Sequence, residues 1–99
     1  MTKKLTKLGM LLDAYYKATR EDDDHSTRQT AAWVEANHAE KVLMAAITDG
    51  NERKIRTVAQ VYRLASDRYK VIREEAPPII TAKREAKDAL FAELLKRAK

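Results

Sequence analysis

The chain contains no cysteine, which excludes a disulfide framework, a thiolate zinc site and a cysteine nucleophile, and fits a reducing compartment. Only two glycines and two prolines interrupt its 99 residues, so few positions force a helix to end. Long hydrophobic runs are missing too. The longest, Val42 to Ile47, is six residues, against about 20 for a membrane span. The Lys-rich start is followed by Asp13 and by no cleavage motif. These absences predict a cytoplasmic chain that makes no contact with a membrane.

What is present favours a folded protein. Hydrophobic residues make up 44% of the chain and charged residues 35%, far from the composition of a disordered segment. A chain of 99 residues can build one modest core, so a single helical domain over residues 1–99 is expected. The net charge of +5 is unevenly spread: five bases and one acid lie in residues 1–20, and two bases and seven acids in 21–50. Residues 51–75 hold seven bases and four acids, and 76–99 six and three. One acidic segment among three basic ones serves either internal pairing or an anionic partner.

The apolar spacing predicts an all-α protein of four helices, built on a long antiparallel helical hairpin and completed by dimerisation. A first helix is expected from about Thr2 to Thr19, with Leu5, Leu8, Leu12 and Tyr15 on one stripe and Leu11 beside it. Glu21 to Asp24 then lead into Ser26, which with Gln29 has the pattern of a capping box opening a second helix to about Thr48. Asp49-Gly50 supplies a residue free to take positive φ, and Asn51 can cap a third helix. That helix should stop at Ala76-Pro77-Pro78, before a fourth from about Ile80 to Lys99. In the third, Ile55, Val58, Tyr62, Ala65, Tyr69 and Ile72 alternate steps of three and four, with Val61, Leu64 and Val71 widening the face. Val42 to Ile47 is apolar all round and asks for neighbours on more than one side, which a second copy could supply. No internal repeat is evident.

Few constellations carry chemistry. Glu35 and His38 form a Glu-x-x-His pair of the kind that holds iron or manganese in helical bundles, but only one such pair exists and the expected first helix contains no Glu. Asp22 to Asp24 read as a helix N-terminal cap rather than a calcium loop, since the alternating ligands and glycine are lacking. No phosphate loop and no nucleophile with a histidine base can be found. The protein is therefore expected to be no enzyme, with no cofactor, no metal and no small-molecule substrate.

Helix-turn-helix patterns can be laid on residues 27–47, with the turn at Asn37, and on 57–73, with the turn at Ser66-Asp67. The seam from Ile55 to Ile72 argues for one unbroken helix across the second. Arg53, Arg56, Gln60, Arg63 and Lys70 lie opposite that seam as a cationic strip, interrupted by Asp67 and Glu74. Glu52 with Arg56, and Asp67 with Lys70, have the spacing of ordinary surface pairs. Lys3, Lys4 and Lys7 stand where a helix dipole disfavours cations. Tyr15, Tyr16 and Trp33 are expected in a core or interface rather than as base-stacking platforms.

These residues predict a regulatory homodimer that contacts nucleic acid, DNA or RNA, through Lys3, Lys4, Lys7, Arg53, Arg56, Arg63 and Lys70. The alternative is an adaptor or inhibitor that docks on another protein through a helical face.

Overall fold

A computed structural model describes residues 6–98 of the chain. Three helices and no strand occur among them: α1 (Lys7–Asp49), α2 (Glu52–Glu74) and α3 (Ala76–Arg97). The all-α reading and the hairpin hold, but four separate helices do not. The first two expected helices are one, 43 residues long. Nothing in Glu21 to Ser26 breaks a helix, because acids and serine cost only a few tenths of a kcal/mol each in a helix interior. Ser26 is therefore an interior residue and not a cap, and Asp22 to Asp24 do not open a helix. α3 also begins earlier than expected: Pro77 and Pro78 sit in its first turn, where a missing N–H breaks no internal bond.

The turn after α1 follows local chemistry. Gly50 takes φ +71°, and its N–H donates to the carbonyls of Ala46 and Ile47, both at 3.1 Å. Asn51 is extended, and its Oδ1 accepts from the Lys54 N–H at 3.1 Å, capping α2. At the far end of α2 the prolines remove the N–H groups that would pair with the Arg73 and Glu74 carbonyls, and the helix stops at Glu74.

Tertiary contacts divide the molecule into two compact units. One consists of His25–Glu75, the second part of α1 against α2. Its α1 seam is Gln29, Ala36 and Leu43, half-buried, alternating with His25, Ala32, Ala39 and Ala46, buried. The α2 seam is the expected one, with Ala65 buried and Ile55, Val58, Tyr62, Tyr69 and Ile72 half-buried. Ion pairs recede in step on either side of the turn, as antiparallel helices require: Asp49–Lys54 at 3.9 Å, Glu35–Arg68 at 2.9 Å and Arg28–Glu75 at 3.6 Å. Val61, Leu64 and Val71 do not widen the packed face, because a two-helix contact is only about two side chains wide.

The other unit joins α1 up to Asp24 with α3. Here Leu8, Leu11, Tyr15, Ala18 and Asp22 face Ile79, Lys83, Ala86, Leu90 and Glu93; Ala18 and Leu90 are buried and the rest half-buried. Leu12, read as part of the stripe, lies at its exposed edge. Asp22 keeps its seam position by accepting from Lys83 Nζ at 3.1 Å.

Both α1 seams have a period of seven, a repeat that the sequence pattern did not reveal. His25, Ala32, Ala39 and Ala46 are seven apart, all 5% exposed or less. Small side chains at every second seam position let two helices approach toward the short end of the usual interaxial range of about 8–10 Å. The close approach has a cost: few large side chains leave water. Among the described residues, those buried besides His25 are five alanines and Leu90.

Candidate nucleic-acid interface

Three ion pairs, Asp49–Lys54, Glu35–Arg68 and Arg28–Glu75, lie along one flank of the α1–α2 hairpin and take cations from both helices. The opposite flank differs. There α2 presents Ala59 and Ser66, both half-buried, with Arg56, Arg63 and Lys70 outside them. These three cations recur every seven residues, about 10.5 Å apart along the helix. Arg53 lies on the outer face one turn before Arg56. All four are exposed, as expected from the spacing.

Among the described residues, none of these four cations has a carboxylate within ion-pair distance. The surface pairs expected from spacing, Glu52 with Arg56 and Asp67 with Lys70, do not form. α2 from Glu52 to Glu74 has seven bases and three acids, a net charge of +4. Only two of those bases, Lys54 and Arg68, are neutralised by an ion pair. Arg73 instead lies over the Tyr69 ring at 5.8 Å.

Elsewhere the predicted site comes apart. Lys7 opens α1 and pairs with Glu93 at 3.3 Å, so its charge serves the fold. Lys3 and Lys4 lie outside the described residues. Glu93 accepts from Arg97 Nε at 3.2 Å, and this bond, followed by the Lys7 contact and opposed by partial burial, holds its carboxyl below the usual range. The hydrogen bond from Lys83 to Asp22, and then the Asp22 charge, raise the Lys83 pKa above its ordinary value.

The metal constellation is divided among other tasks. Both Glu35 oxygens accept from Arg68 Nη1, at 2.9 and 3.0 Å, while His38 is exposed. Among the described residues, no three His, Asp or Glu side chains are placed to hold a metal ion. Neither helix-turn-helix pattern survives, since α1 runs unbroken through Asn37 and α2 through Ser66-Asp67. No described helix is long and apolar enough to cross a membrane.

Two features escaped sequence reasoning. His25 is 3% exposed, and its Nε2 lies 2.6 Å from the Ile72 carbonyl oxygen. A carbonyl only accepts, so Nε2 carries the proton and donates. The second feature is a shallow, mainly apolar groove on the outer face of α1, lined by Trp33, Val34 and Met44 with the polar Asn37, His38, Glu40 and Lys41. Trp33 and Tyr16 are more than half exposed, and so stand outside the core, one of the two places expected for them.

Comparison of the chain with family models, with curated proteins and with solved structures finds no match in any of the three.

Proposed function

We propose that this protein is a non-catalytic, self-associating helical protein that binds nucleic-acid phosphates through the outer face of α2. The observation that carries this reading is the unneutralised strip of Arg53, Arg56, Arg63 and Lys70, while other cations of the same hairpin are paired. Unpaired cations in a row on a rigid helix cost little in a free protein, since water solvates them. They gain when they displace the counterions condensed on a polyphosphate chain. Binding of this kind reads charge and spacing, not base sequence. Self-association completes a four-helix arrangement, and doubles the strip.

The test is titration of the protein into mixed-sequence duplex DNA, single-stranded DNA and RNA at about 50 mM salt, where non-specific binding is visible near micromolar concentrations. Saturable binding that weakens steeply with salt supports the proposal. Flat titrations with a folded protein overturn it.

The groove of Trp33, Val34 and Met44 favours a second reading, an adaptor that accepts an apolar helix of another protein. In that case capture of partners from lysate survives nuclease treatment and is lost on Trp33→Glu.

A further inference from the structure

The unit formed by α1 up to Asp24 and α3 has two unlike flanks. The Lys7–Glu93 pair marks one, where α1 and α3 otherwise offer Ala14, Ala82 and Ala89 with the charged Glu21 and Lys96. On the other flank Leu12 of α1 stands beside the seam with Ile80 and Leu94 of α3, and Tyr16 and Phe91 stand outside them. Leu12 is the least exposed at 37% and Tyr16 the most at 55%. Five large apolar side chains thus share one side of a two-helix layer and stay exposed among the described residues. A helix layer is stable only when its apolar stripe is packed against another layer.

We propose that this flank is the surface on which a second copy of the chain docks, so that α1 and α3 of two copies form a two-fold four-helix bundle. The proposal rests on the self-association in the functional reading and assigns its place. Area supports it. Five side chains of about 200 Å² each, roughly half exposed, present about 500 Å² per copy, so a symmetric pair buries about 1,000 Å², the size a specific interface must reach. Charge supports a second copy over an unrelated partner. Asp23 is the one charged residue of α1 on this flank, whereas α3 contributes Arg84 and Lys87 and no acid. A two-fold axis parallel to the helices, which lays α1 of one copy on α3 of the other, therefore brings opposite signs together twice, both times at the end where Asp23, Arg84 and Lys87 lie, as an isologous contact demands. Lys87 lies over the Phe91 ring at 5.8 Å, so a charge and the largest apolar knob of α3 meet the partner side by side.

The test is sedimentation equilibrium at high micromolar protein, with far-UV circular dichroism to follow folding. The parent protein is expected at twice 11.3 kDa. The double variant Tyr16→Glu, Phe91→Glu is expected to be a monomer that keeps its helix, because neither position is in the seam. If those charges unfold the chain, Tyr16→Ala with Leu94→Ala decides instead, and dissociation at least about tenfold easier is expected. As a comparison, Trp33→Glu with Met44→Glu should remain dimeric. A parent mass of 11.3 kDa overturns self-association altogether, and leaves phosphate binding to its own titration. A dimer that persists in the flank variants, or that is broken by the Trp33 and Met44 changes alone, overturns this face while self-association stands.

Discussion

At the residue scale, polar side chains interrupt the apolar seams, and three of them, His25, Lys83 and Glu93, have partners that justify their place. His25 sits where its neighbours in the repeat are alanines, and its bond to the Ile72 carbonyl ties α1 to the last turn of α2. Replacing it by Ala removes that bond and leaves a void, so His25→Ala should lower stability by about 1–3 kcal/mol in urea titration. An unchanged midpoint would show that the bond contributes nothing. The other two, Lys83 and Glu93, predict opposite ends of the pH profile. The Lys83 pKa is raised above 10.5, so its contribution is complete below that pH and is lost as pH rises through the higher folded value. Glu93 is lowered from 4.5, so its contribution is complete above that pH and is lost as pH falls through the folded value. Thermal melts of Asp22→Asn should therefore converge on the parent in strong alkali. Those of Glu93→Gln should converge on it in acid.

At the scale of the element, the alanine stripe of α1 sets how closely two helices lie. Ala39→Leu forces extra methylenes into a contact that has no room, and should cost about 1–3 kcal/mol. Ala31→Leu or Ala45→Leu, on exposed positions of the same helix, should change stability by less than about 0.5 kcal/mol. Equal effects at 39 and 45 would mean that the stripe is not the contact. The turn gives a second check. A Cβ on Gly50 would meet nothing within 4 Å, so Gly50→Ala is opposed by its φ of +71° alone, a destabilisation of about 1–2 kcal/mol.

For the whole molecule, the prediction concerns charge. Changing Arg56, Arg63 and Lys70 together to Gln removes the cations for up to three phosphates and touches no ion pair of the fold. The slope of log K against log salt on duplex DNA should flatten by about 0.9 for each phosphate that is no longer neutralised, while the melting curve stays in place. An unaltered slope with intact binding would move the interface away from α2. Lys54→Gln and Arg68→Gln, which remove cations already neutralised within the hairpin, should alter the slope far less.

Much of this architecture was legible because its causes are local. Gly50 and Asn51 shape their turn through their own conformational freedom and a side chain three residues from its partner. Pro77 and Pro78 end α2 by lacking N–H groups, and the Ile55 to Ile72 seam shows in its own spacing. The exposure of the cationic strip follows from that spacing. Other features depended on partners far away in the chain. Whether a helix continues through Glu21 to Ser26 is nearly neutral in local free energy. The partners that this stretch finds are distant ones: Lys83, 61 residues from Asp22, and the Ile72 carbonyl, 47 residues from His25. The seven-residue repeat was hidden for a related reason. Alanine favours a helix on any face and carries no pattern of its own, so only the helix packed against Ala32, Ala39 and Ala46 distinguishes them from the exposed Ala31 and Ala45.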